Sequence, residues 1–190
     1  MTECYRELLI KIYPLIKPVE EFLTDWPEKR MDRLVDKSFI NPELLKYFDD
    51  RNIKIRENFI IWHWNISYNV DDATKKQIQT ILPHTDGDWF SNDLIVRKRL
   101  CGINWNFTED SYVEFYSSEG ATPKFIYRSE HDFSTRWENA TEIIDEWHGA
   151  GPVLFNPQVP HNVKSFDDKR LSITLRFYET YESLRDKLNA

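Results

Sequence analysis

Three short apolar runs and two turn clusters follow one another in residues 99–129, which read RLCGINWNFTEDSYVEFYSSEGATPKFIYRS. Each run is rich in aromatic and β-branched residues and has the length of an ordinary strand. The clusters Glu109-Asp110 and Glu119-Gly120 separate the runs and are typical of turns. This stretch therefore predicts three consecutive strands, at about 99–107, 112–117 and 123–129.

The same alternation of apolar runs and turn clusters extends from Asn52 to about residue 179. One helical turn is predicted within residues 139–147. Further strands are predicted at about 57–68, 77–84, 152–156, 161–166 and 170–179.

Residues 1–52 have a different pattern, which favours helices. Leu8, Leu9, Ile12 and Ile16 recur at helical spacing, interrupted by prolines. Asn41-Pro42-Glu43 is a typical helix start, because asparagine can accept hydrogen bonds from free amides and proline suits the first helical position.

The order of these elements predicts a mainly β fold, a β-sandwich or jelly roll, with N-terminal supporting helices. We expect one domain over residues 1–190. Its parts are a helical support at 1–52, a β core at 53–179, and a tail at 180–190 that forms a short helix.

Composition excludes several classes of function. The net charge of −7 disfavours nucleic acid as a partner, with Arg97-Lys98-Arg99 as a local exception. The chain has five glycines and neither a Rossmann nor a P-loop motif. No uncharged apolar run approaches the roughly 18 residues of a membrane span. Cys4 and Cys101 have no metal-binding spacing, and we expect free thiols in a cytoplasmic protein.

His84-Thr85-Asp86 is the first motif that could form a functional site. Residues two apart on an extended segment point to the same side, so His84 and Asp86 could bind one metal ion. Alone this motif is weak, because a histidine in a turn near acidic neighbours gives the same pattern.

His161 supplies a second imidazole, at the exit of the proline-rich bend Asn156-Pro157-Gln158-Val159-Pro160. Two histidines and one carboxylate leave up to three adjacent positions open on an octahedral Fe(II), which is what oxygen activation needs. Zinc is the competing ion, because three protein ligands and a water also describe a hydrolytic zinc site.

Arg170 and Ser172 follow nine and eleven residues after His161 and share one face of a predicted strand. Arginine offers a two-pronged, permanently charged donor for a carboxylate, and serine adds a hydroxyl donor. The alternative is an outward arginine that pairs with Asp167 or Asp168.

These motifs, in this order and on a strand-rich background, resemble the Fe(II)/2-oxoglutarate-dependent oxygenase superfamily, most closely its small prolyl-hydroxylase-like branch. The resemblance covers roughly residues 55–178. It implies a double-stranded β-helix (a cupin-like jelly roll) and an enzyme that uses Fe(II), 2-oxoglutarate and O2. It also implies His84, Asp86 and His161 as metal ligands, with Arg170 and Ser172 on the distal carboxylate of 2-oxoglutarate.

Several other polar or aromatic residues are candidates for substrate contact. Arg176 is predicted to lie on the same strand face as Arg170, because the two are an even number of residues apart. It is also an alternative anchor for the cosubstrate. Asn104 and Asn106 share one strand face, which is either the barrel interior or a solvent face. The substrate candidates are Asn104, Asn106, Trp89 and Arg176.

Three further positions have simpler interpretations. Asp88 could replace Asp86 as a ligand, but its spacing from His84 is less natural. His63, between Trp62 and Trp64, is predicted to be a partly buried strand histidine, and Glu114 an outward strand charge.

The leading hypothesis is a hydroxylase acting on an amino acid, a peptide or protein side chain, or a small metabolite. Two alternatives remain open: a cupin-like metalloenzyme that does not use 2-oxoglutarate, and a non-catalytic jelly-roll module that binds carbohydrate or protein. The sequence does not indicate which oligomeric state the protein adopts.

Overall fold

The fold comes from a computed structural model, which describes residues 3–24, 32–65, 83–86, 101–108, 111–129, 132–165 and 169–189. Within those ranges the strands are β1 (Tyr5–Glu7), β2 (Asp32–Asp36), β3 (Asn58–Asn65), β4 (His84–Asp86), β5 (Gly102–Asn106), β6 (Ser111–Tyr116), β7 (Thr122–Ser129), β8 (Asp132–Glu138), β9 (Ile143–His148), β10 (Val153–Phe155), β11 (His161–Ser165) and β12 (Lys169–Arg176). The α-helices are α1 (Pro42–Asp49) and α2 (Tyr181–Asn189), and short 3-10 helices cover Val19–Phe22 and Lys37–Phe39. No helix in these ranges has the length and apolar character needed to cross a membrane.

The strands form two antiparallel six-stranded sheets, so the protein is a mainly β sandwich. Sheet I has the order β1-β10-β5-β12-β3-β2, and sheet II has the order β7-β8-β4-β11-β6-β9. Four antiparallel pairs are nested along the chain: β3 with β12, β4 with β11, β5 with β10, and β6 with β9. This nesting brings residues near 84 and near 161 onto neighbouring strands.

The N-terminal segment (residues 8–22) and α1 cover one face of sheet I. Asn41 caps α1 by accepting a hydrogen bond from the Glu43 amide, and Pro42 occupies the first turn, as the sequence predicts. Leu44 and Phe48 of α1 are fully buried in one apolar cluster with Ile173 of β12. Odd-numbered residues of β12 therefore face the N-terminal segment, and even-numbered ones face the other way.

A second apolar cluster joins the two sheets. The ring of Phe115 on β6 lies 5.8 Å from that of Phe155 on β10 and stacks on Tyr5 of β1 at 5.6 Å. Trp147 on β9 also contacts Phe155, with ring centroids 5.4 Å apart. These contacts place the Phe115 face of sheet II against sheet I.

Two parts of the predicted element pattern are wrong. In the described part of residues 1–52, only α1 is an α-helix; β1 and β2 join sheet I, and Leu9 is 97% exposed. Residues 139–147 do not form a helical turn, because residues 143–148 pair with β6 as strand β9. Strand β8, which precedes it, was also missed.

The terminal helix α2 confirms the prediction for the tail. Most of the predicted strands are present with shifted ends, although residues 77–82 lie outside the described ranges. The division of the chain into one domain with three parts stays a prediction.

Candidate metal centre

Two histidines meet on neighbouring strands of sheet II. His84 begins β4 and His161 begins β11, and the two residues are partners in the β4–β11 register. Their ring centroids are 4.7 Å apart, with ring planes inclined at 45°. Two imidazoles bound to one metal at a right angle, each through a nitrogen at about 2.1 Å, have ring centroids about 4.5 Å apart. The separation of the two rings therefore suits a shared metal ion.

The ring of His161 is held in a tautomer suited to metal binding. Its Nδ1 lies 2.9 Å from the carbonyl oxygen of Val159. Because a carbonyl can only accept, Nδ1 carries a proton, and in the neutral ring Nε2 then keeps its lone pair. Such a backbone bond is a common outer contact of metal-bound histidine. Sequence reasoning missed the role of Val159, although Asn156-Pro157 signals the turn that positions it.

Both histidines face the space between the sheets. His161 is the cross-strand partner of Phe115, whose ring packs against sheet I. Residues directly opposite each other on paired strands share a face, so His161 and its partner His84 point toward sheet I as well. His161 is 5% exposed, whereas His84 is half-buried, so the pair lies at the edge of the buried interior.

Arg170 and Ser172 face the same space from sheet I. They are even-numbered residues of β12, on the face opposite Ile173. Arg170 is 8% exposed, which disfavours a solvent-facing ion pair, and Asp167 and Asp168 lie outside the described residues. Ser172 is fully buried, and its hydroxyl has no hydrogen-bond partner among the residues that the structure describes. A buried, unpaired hydroxyl is costly, which is typical of a position that receives a ligand.

Asp86, the predicted carboxylate ligand, is the last residue of β4 and pairs with Ser134 of β8. Its side chain lies outside what the structure describes, and so do Asp88, Trp89 and residues 97–99. Among the side chains that are described, no three from histidine, cysteine, aspartate or glutamate form a metal-binding group. The role of Asp86 stays a prediction.

Two of the predicted substrate residues, both on β5, make side-chain hydrogen bonds. Asn104 accepts from the hydroxyl of Thr174, which in turn accepts from Trp62 Nε1 at 3.0 Å. Asn106, which is 5% exposed, accepts from the Thr108 hydroxyl at 3.0 Å. Sequence reasoning missed the network of Trp62 and Thr174, although the alternation of polar and apolar residues along β12 signals it.

Arg176 lies on the same face as Arg170, at the other end of β12. It is opposite Gly102 on β5. Six strand residues span about 20 Å, so the two arginines occupy separate positions along the interior. Substrate contact by Asn104, Asn106 or Arg176 stays a prediction.

Glu114 lies outside this site. It points away from sheet I as predicted, but it is 9% exposed rather than a solvated charge. The Tyr116 hydroxyl donates to its carboxylate, and Lys164 Nζ is 3.5 Å from the same oxygen. Burial, together with that hydrogen bond, raises the pKa of Tyr116. Tyr116 and Lys164 thus hold the Glu114 carboxylate in place, on the face of sheet II opposite the histidines.

An open cavity of about 460 Å³ lies elsewhere, on the N-terminal segment, where Tyr13, Ile16, Lys17 and Phe107 contribute to its wall. It contains none of the predicted site residues, so the chemistry of the histidine pair is the better guide to function. No protein-family model, curated protein or solved structure matches this chain.

Proposed function

We propose that this protein is an Fe(II)/2-oxoglutarate-dependent oxygenase that hydroxylates an unactivated C–H bond. The substrate is an amino acid, a peptide or protein side chain, or a small metabolite. One observation carries the proposal: His84 and His161, 4.7 Å apart, face the same inter-sheet space as the buried pair Arg170 and Ser172.

The strand order supports a double-stranded β-helix, or jelly roll. When a long antiparallel ribbon is rolled up, its strands form nested pairs, and successive pairs fall alternately in one sheet and in the other. The pairs β3–β12 and β5–β10 lie in sheet I, whereas β4–β11 and β6–β9 lie in sheet II. The hairpin β7–β8 then extends sheet II beside β4.

The residues present fit a non-haem iron site. His161 offers Nε2 because its Nδ1 is bonded to Val159, and His84 lies within reach of the same ion. Asp86, two residues beyond His84 on the same strand, is the proposed third ligand. Two imidazoles and one carboxylate are typical of iron oxygenases that leave adjacent positions open.

When bound, Fe(II) with 2-oxoglutarate and O2 supplies an oxidation that inserts one oxygen atom into a C–H bond and releases succinate and CO2. The protein contributes binding, orientation and exclusion of water. Arg170 holds the distal carboxylate of the cosubstrate through paired, charge-assisted hydrogen bonds, and Ser172 donates its hydroxyl to the same group. The ring of Phe115, 6.2 Å from that of His161, keeps that side of the site apolar.

The test is cosubstrate turnover without a substrate. Purified protein supplied with Fe(II), 2-oxoglutarate and O2 is expected to release succinate slowly. His161→Ala is expected to abolish both metal binding and succinate release. Arg170→Ala should keep metal binding and lose 2-oxoglutarate binding, because only the anchor is removed. His148→Ala is the matched control, since this exposed histidine at the end of β9 lies on the opposite face of sheet II.

Other outcomes would favour the alternatives. Metal binding that survives Arg170→Ala, with no effect of 2-oxoglutarate on the melting temperature of the wild-type protein, would indicate a cupin-like metalloenzyme. No metal binding at all, with stability unchanged by a chelator, would indicate a binding module and would contradict the proposal. Zinc bound in preference to iron, without succinate release, would point to hydrolytic chemistry.

A further inference from the structure

We infer that Asn156 is a positioning residue for the metal-binding ring of His161, an inference that rests on the proposed function. Asn156 begins the bend that leads into β11 and is 4% exposed. It acts through the backbone of residues 158–160.

The side chain of Asn156 makes two hydrogen bonds of opposite kind. Its Oδ1 accepts from the amide of Gln158 at 3.1 Å, and its Nδ2 donates to the carbonyl oxygen of Glu3 at 3.0 Å. A backbone amide can only donate and a carbonyl can only accept, so these partners fix which end of the side chain is oxygen and which is nitrogen. Only an amide of this length satisfies both partners.

The backbone of Asn156 secures the same bend at both ends. Its carbonyl accepts from the Val159 amide at 3.2 Å, and its own amide donates to the Cys4 carbonyl at 2.9 Å. The carbonyl of Val159, which belongs to the next peptide unit of the same bend, accepts a hydrogen bond from Nδ1 of His161. Asn156 thus holds the bend that carries the carbonyl bonded to the ring of His161.

Residues 3–6 are part of this arrangement. The carbonyl of Glu3 accepts the hydrogen bond from Asn156 Nδ2. The carboxylate of Glu3 forms ion pairs with Arg6 at 2.8 Å and with Arg185 of α2 at 3.3 Å. The bend before His161 is therefore attached to a segment that both β1 and α2 hold in place. Partners of metal-bound histidines typically change metal affinity about 10–100-fold when they are lost.

The decisive variant is Asn156→Asp. It keeps the size of the side chain and the acceptor for Gln158, but it places a carboxylate oxygen against the Glu3 carbonyl. Asn156→Ser is the milder variant, because its hydroxyl can still accept from the Gln158 amide but is too short to reach Glu3. Gln158→Glu is the matched control, since it adds the same charge to the same bend on an exposed side chain.

The measurement is Co²⁺ binding to the full chain by calorimetry, with the visible absorption of bound Co²⁺ as a report on ligand geometry and the metal-free melting temperature as a report on folding. Asn156→Asp is expected to weaken Co²⁺ binding about 10–100-fold and to shift the visible bands. Asn156→Ser should show a smaller loss, and Gln158→Glu should match the wild-type protein.

The inference is overturned if Asn156→Asp melts cooperatively and binds Co²⁺ with wild-type affinity and an unchanged spectrum. A lower melting temperature with unchanged affinity would also overturn it, because that is the result of a purely structural role. Should Asn156→Asp fail to fold, the same two criteria apply to Asn156→Ser. Failure of the wild-type protein to bind Co²⁺ would overturn the proposed function itself, and this separates the two failures.

Discussion

Replacing Ser172 by alanine should stabilise the metal-free protein while impairing its function. The Ser172 side chain is fully buried, and no group in the described part of the chain forms a hydrogen bond with its hydroxyl. An unsatisfied buried hydroxyl costs about 1–3 kcal/mol. Alanine removes that cost and leaves only a void of one atom, so we expect a gain of about 1 kcal/mol in the free energy of unfolding. For a chain of this size that gain raises the melting temperature by about 2–4 °C.

The same substitution should weaken 2-oxoglutarate binding. A hydrogen bond from the Ser172 hydroxyl to a carboxylate contributes about 1.5–3 kcal/mol, which corresponds to a roughly tenfold to hundredfold loss of affinity. Thermal melting of the metal-free protein measures the first effect. Calorimetric titration of 2-oxoglutarate into the Mn²⁺-loaded protein measures the second.

Thr135→Val is the matched control for Ser172→Ala. Thr135 is 2% exposed and lies on the face of sheet II opposite the histidines, and within the described ranges its hydroxyl also has no hydrogen-bond partner. Valine has the same shape, so this variant should gain similar stability and keep full affinity for 2-oxoglutarate. A destabilised Ser172→Ala protein, or one that binds 2-oxoglutarate as tightly as the wild type, would refute the reasoning.

Three further predictions concern the rest of the fold. Burial raises the pKa of the Cys4 thiol to about 11 and also raises that of Cys101, so a thiol reagent at pH 8 should modify neither cysteine until the protein is unfolded. Because the folded-state pKa of Cys4 is raised, the stability that the buried thiol contributes should be lost as the pH rises toward 11. Urea unfolding at pH 8 and at pH 10.5 would detect this loss. Reaction of either thiol in the native state at pH 8 would contradict the prediction of burial. Burial lowers the pKa of His63, so its contribution to stability should be present above the ordinary histidine pKa and be lost as the pH falls, and an NMR titration midpoint at or above the ordinary value would be contrary evidence. Phe115→Ala should lower the unfolding free energy by about 3–5 kcal/mol in urea denaturation, because the ring joins the two sheets, whereas a loss below about 1 kcal/mol would show that this contact is unimportant.

Local signals in the sequence predicted those elements whose causes are local. Asn41 and Pro42 begin a helix for local reasons. The Asn41 side chain accepts a hydrogen bond from a free backbone amide, and Pro42 has no amide hydrogen that needs a partner. The alternation of Ser172 with Leu171 and Ile173 likewise marks β12 as a strand with one polar face. The parity of Arg170 with Ser172 follows from that alternation alone.

Elements that depend on distant partners were predicted poorly. Residues 143–148 are a strand because β6 supplies their hydrogen bonds, although Glu142 to Trp147 have no clear alternation of polar and apolar residues. Leu8, Leu9 and Ile12 have helical spacing, but β10 pairs with residues 5–7 immediately before them. For the candidate site, the sequence named His84 and His161, whereas their register and the Val159 contact follow only from the paired strands.

The nested strand pairing has a consequence for how the chain folds. Asn65 pairs with Lys169, so sheet I gains its β3–β12 contacts only by closing a loop of roughly a hundred residues. A topology dominated by contacts between residues so far apart in sequence folds slowly, on a scale of about milliseconds to seconds. During synthesis, β3 must remain without β12 until residues 169–176 have left the ribosome, and its apolar residues Phe59, Ile60 and Ile61 are exposed to aggregation throughout that interval.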